Sequence, residues 1–377
     1  MGLERGHRAR PLEWLMEKAI FLVSLSAILT VFLIFIFIGR EALPVFLGQT
    51  DTAAAQVIPA ADIDKLSPEQ IRQYLGLSKD DFKGKNHDTL KLLMQLREKA
   101  GEESSDNKDA HVNTTDWRYM LKPYQWSDYD RPVYIWQPTS EISKFNIVPL
   151  VIGSLKVTIV ALLFAVPVSL AAALYVSQLC PPRMRELVKP GIELLAGIPS
   201  VVMGFFALNV MAGALKTLFH YESALNALLA GIALGLAVIP VIFSIAEDAL
   251  TSVPRSYVQA ALALGSSKWH AAWQVVAPAA VPGIFAAVVL GFGRAIGETM
   301  IVLMASGNAS IMSWNILDSA RTVTATIAAE LGEAVLGSPH YRILFMIGVL
   351  LFGVTFLSNL AGDLVMNRLK NRLEGKQ

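Results

Sequence analysis

Six apolar runs govern what this chain can fold into: Ala19 to Ile38, Val148 to Val176, Ile192 to Leu215, Ala224 to Ile245, Val281 to Ala305 and Ile343 to Ala361. Each is long enough to cross roughly 30 Å of hydrocarbon at about 1.5 Å of rise per residue. Lipid offers the backbone no hydrogen-bond partner, so segments of this length close their own bonds as helices. The sequence therefore predicts an all-α integral membrane protein with six transmembrane helices. Hydrophobic residues make up 54% of the chain while the net charge is only +1, which excludes a soluble globule and a nucleic-acid binder. The lipid bilayer is the first partner.

Orientation follows from the basic residues. With the N-terminus inside, the short inner stretches hold Arg5, Arg8, Arg10 and Lys18, then Arg183, Arg185 and Lys189, then Arg255 and Lys268, then Arg368, Lys370, Arg372 and Lys376. The two short outer loops hold only Lys216 and Arg321. Both termini are expected in the cytoplasm. The first run exceeds the length of a cleavable signal core, so it reads as an uncleaved anchor, with Ala53 to Ala55 a weak processing candidate. The expected parts are a cytoplasmic segment 1–17, helix 1 at 18–39, an extracytoplasmic insertion at 40–146, and a core at 147–377 with helices 2 to 6. The single cysteine, Cys180, excludes an intrachain disulfide and reads as a packing residue.

The insertion is the polar part. From Glu41 to Asn146 it carries 17 of the 31 acidic residues against 13 Lys and Arg. Ser67-Pro68-Glu69 and Asp88-Thr89 each read as a helix start, and Gly101 to Asp109 offers nothing apolar to bury and reads as a link. The aromatic stretch from Trp117 to Trp136 docks on a partner, sits at the outer interface, or packs on the chain's own bundle; the sequence leaves these open.

Charges inside the spans mark candidate function. Gly291-Phe-Gly-Arg-Ala-Ile-Gly-Glu-Thr299 places Arg294 and Glu298 four residues apart, on one face of a helix, while Gly293 and Gly297 let a neighbour approach. Intramembrane charges serve a pathway or a partner, and the alternative is an ion pair that only holds helices together. Lys156, near the outer end of helix 2, reads as snorkelling to the headgroups, and Glu193 as reaching water at the inner end of helix 3. Pro167, Pro199 and Pro240 interrupt helices and free carbonyls. The six histidines show no metal spacing, no GxxxxGK[ST] phosphate loop is present, and no nucleophile and base cluster appears. No metal, cofactor or enzymatic activity is expected.

Between helices 4 and 5 lies a long inner loop, Glu247 to Ala280, with Gln259-Ala260-Ala261, then Gly265, then Val275-Val-Ala-Pro278. Small residues followed by a glycine break make a helix, a turn and a second helix suited to lie across a partner. This spacing resembles the EAA loop of ABC importer permeases, with Gln259 in place of the glutamate and Ala277 in place of the leucine. Three further stretches, Ile192 to Gly204, Gly293 to Met300 and Thr322 to Glu333, resemble the permeases of the phosphate-specific ABC importer, more the C-type (PstC) than the A-type. The likeness is loose over helix 1 and close from Trp136 onward.

The resemblance implies a type I ABC importer permease fold and a subunit that moves inorganic phosphate inward by alternating access. It implies a second permease (PstA-type), a dimer of separate ATPase subunits (PstB-type) docked on the 247–280 loop, and an extracytoplasmic phosphate-binding protein (PstS-type). Arg294 then serves as transient anion ligand, Glu298 as its orienting neighbour, and Thr299 and Ser200 as hydroxyl donors. Phosphonate, sulfate and molybdate remain alternative cargoes, and an ATP-independent anion channel is the reading from another class.

Overall fold

The computed structural model describes residues 11–50, 68–75, 86, 89–96, 109 and 112–373. Arg5, Arg8, Arg10, Ala53 to Ala55, both insertion helix caps and nearly all of the 101–109 link lie outside the described residues.

Helix α1, Pro11–Phe46, is a single long span whose lipid-facing length is exposed in the isolated chain. It leans on the last helix, α11 (Pro339–Leu373), through Phe35 on Phe352 at 4.7 Å and Phe37 on Phe345 at 5.7 Å between ring centroids. The core is built from α2 (Val148–Leu174, prolonged by a π turn over Tyr175–Leu179), α5 (Ala227–Thr251) and α8 (Val281–Gly297). Lipid tails are as apolar as leucine, so close contact of small residues has to hold these helices together. Ala161, Ala165, Ala230, Ala233, Ala287 and Gly291 accordingly sit in one buried cluster with Leu234, Val238, Ile242 and Phe243. Gly235 lets α5 ride directly on α2: a methyl there would lie 3.0 Å from Ala161 O and 2.8 Å from the Phe164 ring.

Five described helices are long and apolar enough to cross a membrane, and a sixth span arises if the bent pair Lys268–Ala279 and Val281–Gly297 counts as one. Two predicted runs are broken. The run from Ile192 to Leu215 is divided, because α3 (Pro182–Ala196) ends before Pro199 and the crossing helix begins at Ser200. Proline cannot donate to the preceding turn, and it pushes the residue before it out of the helical region. The third span is therefore Ser200–Phe219, starting with α4 (Ser200–Phe206), and Glu193 lies exposed on α3. The run from Val281 to Ala305 is also divided: α8 stops at Gly297, Glu298 is extended (φ −70°, ψ 137°), and α9 runs Met300–Ala305.

Lys156 does not snorkel. Its ammonium is buried and donates to Ser313 O at 3.1 Å and Asn315 O at 3.0 Å, pinning the 306–322 segment over the bundle. The covering carbonyls lie 157 and 159 residues further along the chain, so nothing in the sequence around Lys156 signalled them.

Of the insertion, the stretch 112–146 packs on the bundle through its buried aromatic and apolar residues. Strands β1 (Trp136–Gln137) and β2 (Lys144–Phe145) pair antiparallel, and Met120, Trp136, Phe145 and Ile147 share a core with Ile343, Leu344 and Met346 of α11. Trp136 Nε1 donates to both oxygens of Glu330 at 3.1 Å, and Glu330 also holds Arg321 at 2.6 Å and His340 at 2.9 Å. Of the three readings left open for the aromatic stretch, packing on its own bundle is the one observed here.

Candidate substrate pathway and coupling surface

The helix break at Glu298 governs the geometry around the intramembrane charges. Since α8 ends at Gly297, Arg294 and Glu298 do not share a continuous helix face, and among the described residues no ion pair joins them. Glu298 turns back locally: its Oε1 accepts from Thr299 N at 3.1 Å, and its backbone carbonyl accepts from Thr324 Oγ1 at 2.8 Å. Thr324 belongs to α10 (Val323–Glu330), whose N-cap hydroxyl, Thr322 Oγ1, accepts from Ala325 N at 3.2 Å. A short capped helix thus fastens the break from the side.

Arg294 is left exposed on α8 with no hydrogen bond or ion pair among the described residues. A guanidinium with five unmet donors at membrane depth is stable only facing water, a ligand or another chain. Ser200 is half-buried at the start of α4, and Gly204, one turn on, rides against α9: a methyl there would lie 3.1 Å from Met300 O. The structure thus brings α4 beside the Glu298 to Met300 break, and no hydrogen bond links Ser200 to Arg294 or Thr299 among the described residues.

At the opposite end from the 306–322 segment, the predicted loop is folded as helix, turn and helix. Because α5 continues to Thr251, Glu247 lies within that helix and the connecting segment begins after it. Helix α6 (Arg255–Ala263) carries Gln259 and Ala260 exposed and Ala261 buried; α7 (Lys268–Ala271) follows, capped by Ser267, continues through a π turn at Ala272–Val276 and reaches Pro278. Gly265 joins them with φ +83°, in the left-handed region, while its amide donates to Leu262 O and that of Ser266 to Ala261 O. This is the double closure that glycine gives a helix C-terminus. On the exposed face of this helix pair Leu264 is 89% exposed, and Trp269 and Trp273 stack in parallel at 6.5 Å with most of both rings uncovered. Such an apolar face marks an interaction surface.

Sequence reasoning missed the network that anchors this end. Glu247 is fully buried and is held by Arg185 and by Lys189 Nζ at 2.7 Å, while Thr251 Oγ1 donates to it at 2.9 Å. Lys189 reaches Asp248 as well, at 3.3 Å. Hydrogen bonding to Glu247 raises the Lys189 pKa, so the charge on Lys189 is fully present below and through the ordinary lysine range and is lost as pH rises through that raised value. The basic residues were visible as inner-loop charges; their acid, 58 or more residues away, carried no sequence signal. Replacing both cations, Arg185→Met with Lys189→Met, strands a buried carboxylate and is expected to destabilise by on the order of 3–5 kcal/mol. Glu247→Gln, which leaves two half-exposed cations able to reach solvent, is expected to cost less. Thermal unfolding of the detergent-solubilised variants checks the order; equal losses would remove the buried acid as the sensitive member.

Residues 165–374 match the family described as the binding-protein-dependent transport system inner membrane component. The chain belongs to this family. Among relatives of this permease, the Probable ABC transporter permease protein YqgH of Bacillus subtilis (strain 168) is 37% identical over 223 residues, covering 59% of this chain and 72% of that protein. The Phosphate transport system permease protein PstC of Mesorhizobium japonicum is 35% identical over 241 residues, covering 59% and 73%. PstC of Xylella fastidiosa (strain 9a5c) is 34% identical over 260 residues, covering 64% and 78%. A crystal form of the inward-facing MetNI methionine ABC transporter aligns with 59% of the permease and 95% of that chain, at TM-score 0.47 and 17% identity. The matched family region holds Ser200, the Gln259 to Pro278 segment, Arg294, Glu298 and Thr299, and leaves out α1 and the insertion.

Proposed function

We propose that this permease is the C-type subunit of an ATP-driven importer of inorganic phosphate. The carrying observation is Arg294, an exposed guanidinium without a hydrogen-bond or ion-pair partner among the described residues, in a helix that otherwise packs against the apolar core. Phosphate offers paired oxygens to a planar fork of donors, so Arg294 binds it bidentately in transit, and Glu298, Thr299 and Ser200 line the same passage. The resemblance in the sequence and the PstC names of relatives support phosphate over phosphonate, sulfate or molybdate.

In this reading a PstA-type permease forms the other half of the passage and a PstS-type binding protein delivers phosphate on the outer side. A PstB-type ATPase dimer docks on α6 and α7 with Gln259, Ala260, Ala261, Gly265 and Pro278 forming the receiving element. The exposed Leu264, Trp269 and Trp273 give that contact its apolar area. Both termini and the coupling helices then lie in the cytoplasm, and the 40–146 insertion lies outside. ATP hydrolysis belongs to the partner, and alternating access follows from its opening and closing.

Uptake of labelled phosphate by whole cells carrying the complete importer tests the cargo. An excess of unlabelled phosphate is expected to suppress uptake fully, and equal excesses of sulfate, molybdate or a phosphonate to leave it nearly unchanged. Suppression by one of those anions as strong as by phosphate would replace the proposed cargo with that anion. Uptake that persists without ATP would favour a channel.

A further inference from the structure

The polar side chains on α11 divide into two kinds. Thr355 is satisfied within its own helix, its hydroxyl donating to Leu351 O at 3.1 Å and Phe352 O at 2.9 Å. Asn209 on the third span behaves alike, its Nδ2 donating to Phe205 O at 2.9 Å. Asn359 is different: it lies within the α11 span, is exposed, and its carboxamide has no hydrogen-bond partner among the described residues.

Its neighbour gives it meaning. A methyl added at Gly293 would lie 3.1 Å from Asn359 Oδ1 and 3.7 Å from Nδ2, so the carboxamide rests directly on the α8 backbone beside Arg294. The packed face of α8 continues past this point, since a methyl at Gly362, nearly one turn further along α11, would meet Val289. Asn359 therefore stands where the α8 and α11 contact gives way to the exposed stripe carrying Arg294. Two exposed polar side chains, one cationic and one neutral and both without a hydrogen-bond partner among the described residues, thus lie at neighbouring positions on α8, Arg294 on the helix itself and Asn359 against the residue before it. Leaving a carboxamide unpaired in hydrocarbon is costly, and its two N–H donors suit the same acceptor as the guanidinium. Glycine at position 293 is what gives the amide room.

We propose that Asn359 is a second substrate-contacting side chain of the passage, its carboxamide N–H donating to the tetrahedral oxyanion that Arg294 holds. This rests on the reading of Arg294 as an anion ligand and adds a neutral donor to it. A neutral donor strengthens recognition of oxygen without deepening the electrostatic trap, which suits a site that has to release its ion.

The test is the complete importer in proteoliposomes, with ATP inside and phosphate-loaded binding protein outside, measuring labelled phosphate moved per ATP hydrolysed. Asn359→Leu is expected to lower that ratio about tenfold while binding-protein-stimulated ATP hydrolysis is kept, as loss of one hydrogen bond to a charged ligand predicts. Asn359→Gln is expected to recover to within about threefold of wild type. Gly293→Ala, which crowds the amide while favouring helix, is expected to fall between them, and it carries the test should Asn359→Leu reach the membrane poorly. A wild-type ratio in both Asn359→Leu and Gly293→Ala overturns the proposal, as does a parallel fall of hydrolysis and transport, which would make Asn359 a structural contact. Arg294→Gln runs alongside: if it is inactive and Asn359→Leu is not, only the Asn359 assignment fails, and if both are active the reading of Arg294 itself fails.

Discussion

Arg294→Gln is expected to lower phosphate uptake by about a hundredfold, since two charge-assisted hydrogen bonds to the anion are lost together. The protein should remain in the membrane at its normal level, because Arg294 is exposed and makes no hydrogen bond or ion pair among the described residues that folding would miss. Arg294→Lys is expected to retain more, losing about tenfold: the charge survives, but a point-like ammonium cannot match two oxygens at once. The structure also sharpens what Glu298 can do. A simple ion pair would make the double mutant milder than either single one, as no charge would be left uncompensated. With Glu298 beyond the helix end and bonded to Thr299 N, that compensation has no geometric basis. Arg294→Gln with Glu298→Gln should therefore stay inactive although well expressed. Uptake by the double mutant near the wild-type rate would return the pair to structural glue.

Much of the fold was legible because hydropathy and turn chemistry act locally. The runs at Val148 to Val176 and Ala224 to Ile245 became α2 and α5 with few residues' difference at their ends. Gly265 could be recognised as the turn between two helices, since a glycine after a run of small residues is the usual helix stop. Hydropathy was blind to breaks inside apolar sequence: Ile192 to Leu215 and Val281 to Ala305 each read as one span, and while Pro199 was visible as an interruption of the first, only backbone geometry divides the second at Glu298.

Long-range polar pairing was equally invisible. Lys156 and the carbonyls of Ser313 and Asn315, Glu247 and Lys189, and Trp136 and Glu330 meet only through tertiary packing. For the candidate site, the intramembrane charge pointed to Arg294, whereas Asn359, a neutral residue within an apolar span, acquires interest only from lying against Gly293.

Substitution at Gly265 is expected to separate ATP hydrolysis from transport, and backbone conformation alone decides the outcome. No atom lies within 4 Å of where a side chain would begin, so a larger residue meets no obstruction. The obstacle is φ +83°, a conformation that costs an ordinary L residue about 1–2 kcal/mol and a β-branched one more. Gly265→Val therefore relieves its strain by shifting α7 relative to α6, and Gly265→Pro adds the loss of the amide that bonds Leu262 O. Either change displaces Leu264 from Trp269 and Trp273, the exposed residues proposed to meet the ATPase, while the core contacts of Ala271, Ala272 and Val276 hold the protein in the membrane. Phosphate uptake should fall at least about tenfold, and ATP hydrolysis in the reconstituted complex should cease to respond to loaded binding protein. Gly265→Asn provides the control, because asparagine accepts the left-handed region with little strain, and it should keep most of the activity. If valine and proline support wild-type uptake at normal expression, the turn does not transmit the motor's motion; if asparagine fails as badly as proline, the loss lies in the side chain and the conformational argument falls.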